Sequence, residues 1–220
     1  SVALFHLKKV FIFHKRKTAN PKKVMSVLFK DRIDAGKQLA EKLKGHVGDD
    51  GIVLAIPRGG VIVGAEIARR LRLDFDLIVP RKIGSPQNPE VAIGAVTQDG
   101  SVLLNRRLVD MIGISEPELQ ELISREIKEI ERRISVYGAG ETPGDYAGRQ
   151  IVVVDDGVAT GHTMFASLRS ARKLHPKELI LAIPVAPRET LEALKKEVDY
   201  AVCLFSPDDL YAVGQFYERF

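Results

Sequence analysis

Four consecutive β-branched residues, Ile151-Val152-Val153-Val154, run straight into Asp155-Asp156-Gly157-Val158-Ala159-Thr160-Gly161-His162-Thr163, and no other stretch constrains this chain as much. An unbroken apolar run of this kind predicts a strand buried on both faces, as in a parallel sheet covered by helices. The strand delivers two adjacent carboxylates into a small Gly/Thr-rich turn, after which residues 164–174 have helical spacing. A turn at a helix N-terminus presents backbone N–H groups and two hydroxyls to a phosphate, and the helix dipole adds to the attraction. The two acids repel a phosphate. They suit ribose hydroxyls, from which they accept hydrogen bonds, or the Mg2+ that accompanies a sugar phosphate.

Two common phosphate loops are excluded. The Gly-Lys-Ser/Thr ending of a Walker A loop is missing, and so is the Gly-x-Gly-x-x-Gly of a dinucleotide fold. Segment 151–163 instead closely resembles the 5-phosphoribosyl-1-pyrophosphate (PRPP) motif of type I phosphoribosyltransferases. There a hydrophobic strand, an Asp-Asp pair and an Ala-Thr-Gly-x-Thr turn come in this order. The resemblance implies Asp155 and Asp156 as the catalytic acids, holding the ribose 2- and 3-hydroxyls. It implies Gly157, Val158, Ala159, Thr160, Gly161, His162 and Thr163 as the cradle of the 5-phosphate, with His162 acting through its backbone N–H. It also implies Mg2+ held mainly by PRPP, with Asp155 and Asp156 as the candidate protein ligands.

The 220 residues suffice for one large α/β domain with a substantial core. With 28% charged and 45% hydrophobic residues, the composition is that of an ordinary water-soluble domain. The single cysteine, Cys203, rules out an internal disulfide and reads as a small buried hydrophobe within the apolar run 200–205. No run approaches the ~18 uncharged apolar residues of a membrane span, and a cytoplasmic location is expected. The net charge of +4 is an end effect. Residues 1–24 carry seven Lys/Arg and no acid, and the remainder holds 26 basic and 29 acidic residues. Lys8 and Lys9 interrupt the apolar region there, unlike a signal peptide. Three readings of 1–24 stay open: a nucleic-acid arm, an extension outside the domain, or an added edge strand over 4–13.

From Met25 onward helix and strand alternate, so 25–220 is expected to be a single domain. Asp31 caps a helix through about Lys44, and 51–56 is a short buried strand. Pro57-Arg58-Gly59-Gly60 is a turn before a helix over 61–71, and 76–80 is the next strand. Three Gly/Pro breakers then predict an irregular, mobile loop over 81–90. Alternation in 92–96 and 102–104 around Asp99-Gly100 predicts a hairpin. A helix over 115–137 starts at a capping box, Ser115 with Glu118, and carries the stripe Leu119, Ile123, Ile127, Ile130, Ile134 and Tyr137. Its pairs Glu121–Arg125 and Glu129–Arg133 are spaced to support it. That stripe is expected to pack on its own domain rather than at a dimer interface. Residues 142–145 break the chain, and 179–183 (strand), 189–196 (helix) and 200–205 (strand) follow. The reading is a doubly wound parallel sheet with an antiparallel flexible-loop hairpin, a helical insertion at 106–150 and a small C-terminal hood at 206–220.

Ligands in such sheets sit at the C-terminal strand ends where the winding reverses. Pro57-Arg58-Gly59-Gly60 occupies such a place and resembles the family's pyrophosphate loop, which implies Arg58, Gly59 and Gly60 as pyrophosphate ligands. Arg81 and Lys82 match the Arg-Lys that faces the pyrophosphate in the family, and 84–104 matches its closing loop. The resemblance therefore implies displacement of pyrophosphate at the ribose anomeric carbon by a nitrogen acceptor, a nucleobase or related heterocycle. A homodimer or higher homo-oligomer is expected, with neither membrane nor nucleic acid as partner.

Ala159 stands where the 6-oxopurine enzymes of the family carry an aspartate, so adenine- or uracil-type acceptors fit better. The insertion at 106–150 fits neither type, and the whole arrangement looks most like a group of predicted phosphoribosyltransferases whose acceptor is not established. Tyr211, Phe216 and Tyr217 are the hood aromatics: they either stack on the acceptor base or pack on the core. Two other function classes stay open. One is a PRPP-sensing regulator binding nucleic acid through the basic N-terminus; the other is a Mg2+-dependent phosphosugar hydrolase, for which no nucleophile elbow is present.

Overall fold

The computed structural model describes residues 10–12, 28–89, 91–137 and 145–220. In chain order these form β1 (Val10–Ile12), α1 (Arg32–Leu43), β2 (Ile52–Ala55), α2 (Gly59–Leu71), β3 (Asp74–Leu77), β4 (Arg81–Gly84), β5 (Ala92–Val96), β6 (Val102–Leu104), α3 (Arg106–Ile112), α4 (Glu116–Tyr137), β7 (Gln150–Val154), α5 (His162–Lys173), β8 (Glu178–Val185), α6 (Arg188–Leu194) and β9 (Tyr200–Phe205).

The main sheet is wholly parallel, in the order β1-β9-β8-β7-β2-β3. Every residue of β7 is buried because the sheet is covered on both faces. Ile151 and Val153 point to α5 and α6, packing with Met164, Leu168, Leu191 and Leu194. Val152 and Val154 point the other way, to Leu39 and Leu43 of α1 and Val63 and Ile67 of α2. Continuous apolar sequence and two-sided burial are thus the same fact. From β2 the chain winds one way through α2 to β3; from β7, on the other side of β2, it winds the opposite way through α5 to β8. The winding therefore reverses between β2 and β7.

Three sequence expectations are corrected. Residues 81–84 are strand β4, not loop, and pair with β5, so the hairpin is one part of a three-stranded antiparallel sheet, β4-β5-β6. Ile83 is fully buried beneath α4 while Lys82 faces out, a period-two pattern that outweighs the nearby breakers. The strand expected over 76–80 lies at Asp74–Leu77, because Val79 N–H instead donates to the Gln98 side chain at 2.7 Å. The helices expected from 61 and 164 begin at Gly59 and His162, inside the two turns. Of the three open readings of 1–24, the parallel pairing of Val10–Ile12 with 201–203 on β9 favours the edge strand, of whose expected span 4–13 only 10–12 lies among the described residues. Of the 142–145 break, only Asp145 lies among the described residues.

On α4, Leu119, Ile123 and Ile130 of the stripe meet Ile83, Ile93 and Val96 within the chain, while the Tyr137 side chain lies outside the described residues. Arg133 pairs with Glu129 as its spacing predicts, whereas Arg125 meets Glu126. The β5–β6 turn is fastened to α5. Asp99 accepts from Ser170 Oγ at 2.9 Å, and Lys173 Nζ donates to Ser101 Oγ at 2.7 Å. Burial alone would raise the Asp99 carboxyl; hydrogen bonds from Ser101, Thr97 and Ser170 pull it down to about 2. Among the described residues no helix is long and apolar enough to cross a membrane.

Candidate active site

The reversal between β2 and β7 places the 57–60 turn and the 155–163 turn side by side at the C-terminal strand ends, with 52–55 and 151–154 in register. Contact between them is close. A β-carbon placed on Gly59 would stand 1.7 Å from Asp156 Oδ2, and one on Gly60 would stand 2.9 Å from Asp155 Cα. Glycine at 59 is therefore required by space: it lets the Asp156 carboxylate lie on the backbone of α2's first turn. The Pro57–Arg58 peptide is cis. Arg58 is exposed at the rim.

The carboxylates differ. Asp156 Oδ2 accepts from Arg32 Nε at 2.8 Å, in a pair only 20% and 14% exposed. Asp155 Oδ1 accepts from the Asp156 backbone N–H at 2.8 Å. Loss of solvation and then the Asp156 charge push the Asp155 carboxyl well above its ordinary range, against a smaller pull from Arg32. Tyr217 O–H donates to the Asp156 carbonyl at 2.6 Å, and burial with the nearby Asp156 charge pushes its phenol up.

Beyond the acids the chain turns at Gly161, whose φ of +81° suits glycine, and enters α5 at His162. The first-turn N–H groups of α5 have no intrahelical acceptor and face the turn, as an anion site requires. Thr160 is exposed, and its Oγ1 lies 2.9 Å from His162 Nδ1. Val158 stands apart from this cradle, because its N–H already donates to Val185 O at 2.9 Å.

Arg81 and Lys82 sit on β4. Arg81 pairs with the buried Glu126 of α4 at 2.8 Å rather than standing free, and Lys82 is exposed. Of the hood aromatics, Phe216 and Tyr217 are core residues packed with Phe29 and Val185, while Tyr211 is 89% exposed. Sequence reasoning missed Arg32, whose partner lies 124 residues away. One signal was available: a cation in the first turn of a helix opposes the macrodipole and needs a nearby anion to justify it.

Comparisons with known proteins give the family and the fold. The family model described as phosphoribosyl transferase domain matches residues 28–216, and the chain belongs to that family. Proteins of two Mycobacterium tuberculosis strains, each named "Putative phosphoribosyl transferase", are 37% identical over 193 residues. That match takes in 88% of this chain but 44% of theirs, so the chain spans less than half the length of these relatives. The crystal structure of TT1426 from Thermus thermophilus superposes with a TM-score of 0.73 at 37% identity, covering 87% of this chain and 91% of that one.

Proposed function

We propose that this chain transfers the 5-phosphoribosyl group of PRPP to a nitrogen acceptor with release of pyrophosphate. The observation that carries the reading is the packing of Gly59 and Gly60 onto Asp156 and Asp155, which brings the two turns into contact. Over these turns the 5-phosphate lies on the start of α5, and the ribose 2- and 3-hydroxyls donate to the two carboxylates. The bond from the anomeric carbon to the pyrophosphate oxygen breaks first, its electron pair leaving with the pyrophosphate. The ribose gains positive charge, which the adjacent carboxylates stabilise. The acceptor nitrogen then forms the new bond with its lone pair and releases its proton.

Among the described residues no three His, Cys, Asp or Glu side chains are grouped to hold a metal ion. Mg2+ binds through one or two carboxylates plus substrate phosphates, so the Asp155 and Asp156 donor pair fits an ion that arrives with PRPP. Held there by Asp155 and Asp156, it would supply positive charge to offset that of the departing pyrophosphate. Ala159 has no proton to exchange, so hypoxanthine and guanine are poor acceptors. Of the three candidate hood aromatics, Tyr211 is the exposed one and stacks on a planar base. The test is PRPP-dependent pyrophosphate release across a panel of nucleobases and small amines. Turnover with a planar base, absent from the Asp155→Asn/Asp156→Asn variant, supports the reading; efficient use of hypoxanthine refutes the argument from Ala159. Binding of PRPP with no turnover of any acceptor refutes the transferase.

A further inference from the structure

We propose that Arg32 is a pyrophosphate-binding residue of this site, its guanidinium set beside Gly59 to receive the leaving group. The inference rests on the transferase reading above and extends it to a residue outside both loops. Among the described residues Arg32 meets one acceptor, Asp156 Oδ2, through Nε alone. The N–H groups of its two terminal nitrogens remain as donors, in the fork geometry suited to phosphate oxygens. The location is specific: a β-carbon on Gly59 would come within 2.9 Å of Arg32 Nε, so the guanidinium borders the first turn of α2 where the 57–60 loop opens.

The side chain is also held in place. The Phe220 ring lies under the guanidinium, 3.8 Å from its central carbon to the ring centroid. Segment 213–220, which carries that ring, is zipped to 28–31. Glu218 N–H donates to Phe29 O at 2.8 Å, Arg219 N–H to Lys30 O at 3.0 Å, and the Arg219 side chain to Asp31 at 2.9 Å. A long, flexible cation is thus fixed at the entrance of α1, where the helix dipole disfavours it. The Asp156 carboxylate offsets one positive charge with one hydrogen bond, and an arriving anion meets the rest of the fork without a rotamer search.

The test is calorimetric titration of the full chain with two probes, inorganic pyrophosphate with Mg2+ and, separately, ribose 5-phosphate. Arg32→Gln and Arg32→Met are compared with wild type, the second retaining the apolar stem beneath Phe220. We expect pyrophosphate affinity to fall tenfold or more in both variants and ribose 5-phosphate affinity to fall several-fold less, because the 157–163 turn holds its phosphate and Arg32 reaches its ribose only through Asp156. Unchanged pyrophosphate affinity overturns the proposal. Parallel loss for both probes also overturns it, since that marks a purely structural role. Loss of the cooperative melting transition in both variants does the same. Wild-type protein that binds neither probe instead refutes the transferase reading itself.

Discussion

Gly59→Ala is the most exacting perturbation of this site. The added methyl would lie 1.7 Å from Asp156 Oδ2 and 2.3 Å from its carboxyl carbon. Non-bonded atoms do not approach so closely, so the oxygen must retreat by at least about 1.3 Å or α2 must tilt away from β7. Either movement opens the 2.8 Å bond to Arg32, which joins two largely buried side chains. Charge-assisted hydrogen bonds in such settings are worth about 1.5–3 kcal/mol. For a chain of this length that corresponds to a loss of roughly 3–12 °C in Tm. The assay is differential scanning calorimetry on wild type, Gly59→Ala, Arg32→Met and the double variant. If the collision acts through the ion pair, the glycine substitution costs less once Arg32 is gone, with a coupling of about 0.5–3 kcal/mol. A Gly59→Ala protein that melts within a degree of wild type refutes the reasoning, and so do strictly additive effects.

Tyr217→Phe removes the O–H that satisfies the Asp156 carbonyl and should destabilise the protein by about 1–3 kcal/mol, read as a shift in denaturant midpoint. Asp155→Asn should instead stabilise the free protein at neutral pH: a carboxyl whose folded value is raised weakens the fold as pH climbs past its unfolded value of 3.8, and the amide escapes that loss. Urea titrations of both proteins at several pH values check the sign. Asp99 behaves oppositely, because its carboxyl is held down at about 2; its contribution is complete above 3.8 and is lost as pH falls through 2. Acid unfolding of Asp99→Ala should therefore be less steep across that interval than that of wild type. A chain starting at Met25 should still melt cooperatively and bind PRPP, with a lower Tm from the loss of the three-residue β1 ladder.

What the sequence made legible follows from range. The burial of β7, the Asp31 cap and the stripe on α4 are written in residues a few positions apart, and all three stand in the structure. The two glycine-bearing turns could be placed together because a winding rule, not a local pattern, joins β2 to β7. Arg81 and Arg32 mark the limit. From the sequence Arg81 reads as a cation facing pyrophosphate and Arg32 carries no motif, yet each is paired with one acid, Glu126 or Asp156, brought in by tertiary packing. Phe216 and Tyr217 show the converse, since aromatic residues beside a candidate hood pack with Phe29 into the core. β4 escaped notice because three breakers mask a strand only four residues long.

The fastening of the β5–β6 turn to α5 sets the mechanics of the smaller sheet. With Asp99 and Ser101 tied to Ser170 and Lys173, that end of the sheet is an axle. The connection between β4 and β5 lies at the opposite end of the sheet from this fastening, so a swing about the turn would be largest there. Cutting the tie with Ser170→Ala frees the axle end, and amide exchange across 97–101 should quicken relative to 81–84. The same helix that opens at the His162 turn holds the β5–β6 turn at its other end, so one element joins the candidate phosphate turn to the smaller sheet.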